Sequence, residues 1–301
     1  MRIVLSRKGF DSAAGGAPSP VLKGKMLSLP IPEKAGKGDA PDDLGKAQWQ
    51  KYDKLNLPSE VKKYCRKQSV YCHLDPDIRE DFYNKKPQDW RPAFGQCGAA
   101  GGHLIHRLNL QRETNDFADM EPVLFLFFGL FRDYTHRCGD YKKNFDGEEF
   151  HAIWGYMVAR SYIVISSSNK EKCFSWHPHT KMEKHDNNIL FIGEKDECGT
   201  FGYCDELVLT DLNLRRSSKS KWKINALPWF NRLKDGSVNM SYHLDTNKCF
   251  PADDRPYFQS RPGYGQEFVV SPGTEITAEQ DLSWKNCSFR DILENLQKIY
   301  S

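Results

Sequence analysis

Apolar residues occur at strand spacing in several separate parts of the chain. Ile3, Val4 and Leu5 form a short apolar strand that leads into a polar, glycine-rich turn. Residues 123–131 are aliphatic and aromatic, and residues 152–165 are rich in β-branched and aromatic side chains. Runs of this kind are typical of buried strands. We predict that the two long runs are neighbours in one sheet.

Shorter patterns extend this sheet and add a few helices. Residues 188–192, 207–209 and 267–270 are further strand candidates. Residues 288–300 carry apolar side chains at helical spacing, which predicts an amphipathic C-terminal helix. Strands dispersed among a few helices, without regular alternation of the two, predict an α+β fold. We expect a mixed β-sheet core with peripheral helices.

The chain is long enough to bury a sizeable core. Its 301 residues contain no internal repeat, and we predict one domain across residues 1–301. Residues 32–60 are rich in Lys, Asp, Gly and Pro and are predicted to be a surface excursion, with a weak helical stretch at residues 43–54.

Charge gives only a local indication of a partner. The 43 Lys and Arg residues against 40 Asp and Glu residues leave a formal charge of +3. Contact with nucleic acid would therefore depend on a local patch rather than on a global field. Basic runs with aromatic neighbours occur at residues 62–67 and 215–223, and they suit phosphates and unstacked bases. Such runs are also common on solvated surfaces.

Several classes of protein are disfavoured by the sequence. The longest apolar run, residues 123–128, is too short to span a bilayer, and the N-terminus lacks the apolar core of a signal peptide. The nine cysteines are scattered and odd in number, so they do not form a disulfide framework. We expect a cytoplasmic protein with reduced thiols and no membrane partner.

Standard catalytic and metal motifs are also missing. No phosphate-loop, GxSxG or cysteine-protease pattern occurs. The pair His177 and His179 and the pair Cys198 and Cys204 match neither a CxxC pair nor an HExxH helix. We therefore predict neither a metal site nor a cofactor.

The polar turn after the first strand is a candidate site. Gly15 and Gly16 permit backbone angles closed to other residues and let a ligand approach the main chain. Arg7 and Lys8 can hold phosphate oxygens, and Asp11 adds a carboxylate. The same residues also fit an ordinary strand-to-loop exit with solvated charges.

Other polar side chains lie at predicted strand ends and glycine turns. Together they could line a pocket for a base flipped out of its stack, with carboxylates for acid–base chemistry and amides that read a base edge. The alternative for each is structural, such as a helix cap or a local ion pair. The set is Asp11, Asp75, Asp77, Gln96, His103, Arg132, Tyr134, His151, Tyr264, Gln266 and Glu267.

Seven segments share one resemblance. They are residues 2–20, 27–32, 73–77, 94–100, 126–132, 153–156 and 265–268. The opening LSRKGFDS, the HLDPD run and the FGQ run are among their motifs. These segments resemble the third family of nucleotide-modification-associated domains, which occurs in phages and bacteria and is linked to modified DNA bases.

The resemblance implies a DNA glycosylase. Such an enzyme would hydrolyse the N-glycosidic bond of a hypermodified base in phage DNA, which could be glucosylated hydroxymethylcytosine, and leave an abasic site in antiviral defence. Its partner would be modified DNA with a flipped base. Two alternatives stay open, namely a non-catalytic reader of modified bases and an enzyme that makes the modification.

The glycosylase interpretation gives roles to particular residues. Loss of the base leaves positive charge on the deoxyribose, which a carboxylate can stabilise while it orients water. Asp11 is the first candidate for this carboxylate and Asp75 the second. A lyase variant would use Lys8 as a nucleophile that forms a Schiff base. The candidates for substrate and DNA binding are Arg7, Phe10, Ser12, Gly15, Gly16, Gln96, His103, Arg132, Tyr134, Tyr264 and Gln266.

Overall fold

A computed structural model of the chain contains one large mixed sheet and, among its described residues, two α-helices. It describes residues 2–11, 14–33, 50–83, 85–135, 137–182, 185–211, 219, 221–222, 240–241, 258–259 and 267–270. The α+β class predicted from the sequence is thereby confirmed. The C-terminal helix predicted at residues 288–300 lies outside the described residues.

The strands and helices follow one another irregularly. The strands are β1 (Arg2–Arg7), β2 (Ser19–Leu22), β3 (Lys25–Met26), β4 (Ile31–Pro32), β5 (Gln50–Lys51), β6 (Tyr71–His73), β7 (Ala93–Gln96), β8 (Ala118–Tyr134), β9 (Phe145–Val164), β10 (Ile189–Thr200), β11 (Lys221–Trp222), β12 (Met240–Ser241), β13 (Phe258–Gln259) and β14 (Glu267–Val270). The α-helices are α1 (Ser59–Gln68) and α2 (Gly98–Arg107). Neither of these two helices has the length and apolar content that a bilayer crossing needs.

The main sheet has the strand order β12-β14-β1-β8-β9-β10-β7. β1 is parallel to β8, whereas β8, β9, β10 and β7 pair antiparallel in succession. β2 pairs in parallel with the far end of β8 and forms a hairpin with β3. A small separate sheet has the order β4-β6-β5. This mixed arrangement follows from the absence of regular helical crossovers between strands.

The two long apolar runs are neighbours, as predicted. β8 and β9 pair from Ala118 opposite Tyr162 to Tyr134 opposite Phe145, with three shifts of register along the ladder. Both strands extend beyond the apolar runs because their polar ends continue the ladder with alternating exposure. β14 spans the four residues predicted for it.

Two local predictions are wrong. Asp205–Leu207 is a 3₁₀ turn, and Val208 joins the sheet only through an isolated bridge to Ala152. In the segment predicted as weakly helical, Gln50–Lys51 pairs with β6 and Tyr52–Lys54 is a single 3₁₀ turn. Tertiary pairing overrides local propensity at both places. Residues 43–49 of that segment lie outside the described residues.

Aromatic packing holds the sheet together. Phe125 on β8 is fully buried, and its ring centroid lies 4.9 Å from that of Phe94 and 4.8 Å from that of Phe191. β7, β8 and β10 therefore share one apolar interior. The sheet also curls, because β7 and β14 lie five positions apart in the strand order and yet the Gln96 side chain donates a hydrogen bond to Glu267.

The central aromatic cluster predicts a large loss of stability when it is truncated. We expect Phe125→Ala to lower the free energy of unfolding by about 3–5 kcal/mol, since it removes a buried ring and leaves a cavity. Urea denaturation measures this change. The matched control is Val70→Ala, because Val70 is 53% exposed and its truncation removes little buried surface. A loss below about 1 kcal/mol for Phe125→Ala would contradict the packing.

Candidate functional site

A buried ion pair lies where three elements meet. Lys8 follows β1, Asp75 follows β6, and Gly95 belongs to β7. Lys8 Nζ donates to Asp75 Oδ2 at 2.8 Å, and the Gly95 N–H donates to Asp75 Oδ1 at 2.7 Å. The two charged side chains are only 7% and 1% exposed. Two of the predicted catalytic residues are thus in direct contact inside the protein.

Three imidazoles surround the same carboxylate. Their Nε2 atoms lie 3.9 Å (His73), 3.6 Å (His177) and 3.7 Å (His179) from an oxygen of Asp75. Burial lowers the pKa of His179 to about 3, against the attraction of Asp75, so this ring is neutral. The carboxylate therefore interacts with polar rings on one side and with the Lys8 ammonium on the other.

The orientation of His179 is fixed by Asn188. Asn188 Nδ2 donates to the His179 carbonyl at 2.8 Å, and Asn188 Oδ1 lies 2.8 Å from His179 Nδ1. Because the amide oxygen can only accept, His179 Nδ1 carries the hydrogen and its Nε2 presents a lone pair. A Cβ at Gly95 would overlap the His179 ring, so only glycine at this position lets the imidazole lie against β7.

Opposing effects set the charge of Asp75. Complete burial by itself would raise the pKa of this carboxyl, but the Lys8 ammonium beside it holds the pKa well below its usual range. Asp75 is consequently ionised, and the pair consists of a carboxylate and an ammonium.

One group of side chains has the composition of a metal site. The ligand atoms of His73, Asp75 and His179 lie within 4.8 Å of one another. Two histidines and a carboxylate suit transition metals. Lys8 donates to the same Asp75 oxygen that such an ion would need, so a metal would compete with this internal cation. The sequence did not reveal the grouping because His179 lies more than 100 residues beyond His73 and Asp75.

A second carboxyl extends the buried polar cluster. Glu267 on β14 is fully buried and accepts a hydrogen bond from the side chain of Gln96. Burial raises the pKa of Glu267 to about 7, although Lys8, Ser6 and Gln96 act in the opposite direction. The ionised Asp75 and the Glu267 carboxyl, which titrates near neutrality, therefore influence each other electrostatically. Two carboxyls with pKa values this far apart can take separate acid and base roles.

A narrow cleft reaches Asp75 from the surface. Its walls are Gly9, Ser28, Leu29, Pro30, Leu74, Asp75, Pro76, Arg79, Phe82 and Trp154. The Trp154 indole N–H is buried and has no hydrogen-bond partner among the described residues. A buried donor without a partner commonly indicates a bound molecule or water. The side chains of Asp75, Arg79 and Trp154 thus border the same cleft, and the Arg79 guanidinium is paired with Asp81.

The N-terminal turn is closed by contacts among its own residues. Asp11 pairs with Arg7 at 2.8 Å and accepts a hydrogen bond from the Ala14 N–H at 2.6 Å. Its backbone carbonyl accepts from Gly16 N–H, and Gly15 and Gly16 both have positive φ. Asp11, the first candidate for the catalytic carboxylate, therefore shapes the turn that follows Lys8.

The remaining predicted site residues are dispersed. Phe10 lies under Gly15 and, like Tyr134, belongs to a buried aromatic cluster. Arg132 pairs with Glu149 at 3.1 Å, and His103 is buried in α2. Ser12, Tyr264 and Gln266 lie outside the described residues. Gln96 is the predicted binding residue that joins the Lys8–Asp75 neighbourhood, through its hydrogen bond with Glu267.

Comparison with known proteins gives one match. A family model described as nucleotide modification associated domain 3 matches residues 2–271. No curated protein and no solved structure matches the chain. The match confirms the resemblance that the sequence motifs indicate, and it covers all the residues of the Lys8–Asp75 cluster.

The raised pKa of Glu267 predicts a pH dependence of stability. The folded protein binds this proton more tightly than the unfolded chain, so the stabilisation is complete below about pH 4.5 and is lost as the pH rises through about 7. Between pH 5 and 8 we expect Glu267 to lower the free energy of unfolding by about 2–3 kcal/mol.

Urea denaturation of wild type and Glu267→Gln at both pH values measures this contribution. Glu267→Gln should not show this fall in the free energy of unfolding between pH 5 and 8, whereas the exposed control Glu113→Gln should show it as wild type does. Equal pH dependence in wild type and Glu267→Gln would contradict a protonated, buried carboxyl.

Proposed function

We propose, on the premise that this chain belongs to the nucleotide modification associated domain 3 family, that it removes a modified base from DNA. Family membership links the chain to nucleotide modification, and hydrolysis of the N-glycosidic bond is the reaction we propose. The observation that carries the proposal is the ionised Asp75 carboxylate, which is buried beside Lys8 and forms part of the wall of a cleft.

The reaction needs a negative charge beside the sugar. When the C1′–N bond breaks, its electrons leave with the base and the deoxyribose becomes cationic. Asp75 would stabilise that cation, and its surroundings exclude most water, so the interaction is stronger than in bulk solvent. A water oxygen then bonds to C1′, one water proton is released, and the base leaves with a proton. The products are a free base and an abasic site.

Glu267 is suited to the proton exchange. It interacts electrostatically with both Lys8 and Asp75, and its pKa of about 7 lets it give or take a proton near neutral pH. In this proposal Asp75 remains charged while Glu267 changes its protonation state. This separation of roles supports a hydrolytic reaction that needs both an anion and a proton donor.

Lys8 fits a positioning role better than a nucleophilic one. A lyase reaction requires an amine that is free to attack C1′, whereas Lys8 Nζ is held by Asp75 Oδ2 at 2.8 Å. Lys8 Nζ also lies over the Phe94 ring face, 4.6 Å from its centroid. We therefore propose hydrolysis without a covalent intermediate.

The cleft walls also support recognition of a polar modification. The Trp154 indole N–H and the Ser28 hydroxyl are donors for a substituent with several oxygen acceptors. A hydroxymethyl or sugar group on a cytosine has this character. A base without the substituent would leave the Trp154 donor without a partner, which costs affinity.

A non-catalytic reader is the second candidate. Both Asp75 oxygens already accept hydrogen bonds, one from Gly95 and one from Lys8, as in a static pocket. A reader would bind the modified base and leave the glycosidic bond intact.

Base release from modified DNA tests the proposal. We expect wild type to release free base from DNA that carries glucosylated hydroxymethylcytosine, with alkali-labile sites as the second product. Asp75→Asn should lower the single-turnover rate by about 10²-fold or more, because it removes the charge that faces the developing cation. Mass spectrometry of released bases and alkaline cleavage measure both products.

Two variants serve as comparisons in the same assay. Asp11→Asn should retain more activity than Asp75→Asn, since Asp11 shapes the turn, and the exposed control Asp119→Asn should match wild type. Borohydride should trap no protein–DNA adduct. If wild type binds modified DNA and releases no base, the reader replaces the glycosylase.

A further inference from the structure

Helix α1 carries a basic face that the Lys8–Asp75 site does not use. Four cations occupy successive turns of one side of the helix, while Val61, Tyr64 and Cys65 point into the core. The basic face consists of Lys62, Lys63, Arg66 and Lys67. Pairs of like charge at i, i+4 spacing destabilise a helix, so this concentration is costly without an anionic partner.

Three of these cations have no ion-pair partner in the described part of the chain. Arg66 pairs with Asp53 at 3.3 Å, and both side chains are about half exposed. Lys62, Lys63 and Lys67 form no ion pair with a described residue. Their charges are available to a ligand at the surface.

The basic face borders an open groove rather than a convex surface. The groove has a volume of about 670 Å³ and is open to solvent. Leu57, Ser59 and Val70 complete its lining, and Val70 is the one large hydrophobic residue that is exposed among the described residues. A concave strip of lysines with an apolar floor suits an extended polyanion that has apolar sugar edges.

Helix α1 is connected rigidly to the candidate site. On its buried side, Tyr64 donates to the Gly15 carbonyl at 2.9 Å and so holds the turn that follows Lys8. At its C-terminal end, β6 leads directly to His73 and Asp75. Asp75 lies eight positions beyond Lys67, which limits their Cα separation to about 28 Å. This distance is less than one helical turn of duplex DNA, about 34 Å.

We propose that the basic face of α1 binds the phosphate backbone of the DNA strand whose modified base enters the cleft at Asp75. The inference rests on the proposed function for the identity of the polyanion, and it does not require the reaction to occur. Each lysine that neutralises a phosphate releases a condensed counterion. Binding through α1 is therefore salt-dependent and indifferent to base sequence, whereas the cleft supplies selectivity.

The test compares charge-matched triple variants of the full chain. Lys62→Gln/Lys63→Gln/Lys67→Gln neutralises the basic face. The control, Lys85→Gln/Arg112→Gln/Lys195→Gln, removes the same charge from exposed positions elsewhere. The probe is a fluorescent 20-nucleotide DNA, with and without one glucosylated hydroxymethylcytosine, and anisotropy is measured from 50 to 300 mM salt.

We expect the α1 variant to bind at least about tenfold more weakly at low salt and to show a salt slope smaller by about 2–3, from the loss of three phosphate contacts. Modified and unmodified DNA should lose affinity by equal factors. The control variant should stay within about twofold of wild type. Equal binding by the α1 variant and the control would overturn the inference.

The outcomes separate this inference from the proposed function. If wild type releases no base and the α1 variant still binds weakly, the basic face binds DNA and the glycosylase proposal fails. If base release occurs and the α1 variant binds like wild type, the glycosylase stands and the DNA lies elsewhere. Circular dichroism and urea denaturation check that both triple variants fold.

Discussion

The buried contact between Lys8 and Asp75 is the constraint on which the site depends. Two opposite charges lose their hydration inside the protein, and their attraction offsets this cost only when the geometry and the other hydrogen bonds are good. The Gly95 N–H supplies that support through its hydrogen bond to Asp75 Oδ1. One ion pair therefore requires β1, the loop after β6 and β7 to occupy fixed relative positions, and the curl of the sheet satisfies the requirement.

The sequence could predict the sheet better than the site. The runs that form β8 and β9 are long, apolar and rich in β-branched residues, so the local sequence is enough to predict two buried strands. Residues 207–209 and 50–54 are short, and pairing with distant segments decided their form. Asp75 and Lys8 were candidates by residue type, but their contact joins positions 67 residues apart and no local pattern encodes it.

The same reasoning explains why Asp75, and not Asp11, is the catalytic carboxylate in the proposed function. Asp11 stands in a glycine-rich turn that has no evident structural purpose in the sequence, yet the geometry shows the carboxylate closing that turn with Arg7. Glu267 acquired its importance because β14 lies across the curled sheet from β7. Helix and strand propensities carry no information on either point, since both depend on tertiary closure.

The position of Gly95 has a consequence for how this protein could change over time. Because the His179 ring fills the space of a side chain there, no substitution at Gly95 on β7 can reshape the surroundings of Asp75. Ser28 and Arg79 lie on loops that line the same cleft. The loop residues of the cleft can therefore vary in sequence while the part of the cleft beside Gly95 stays constant.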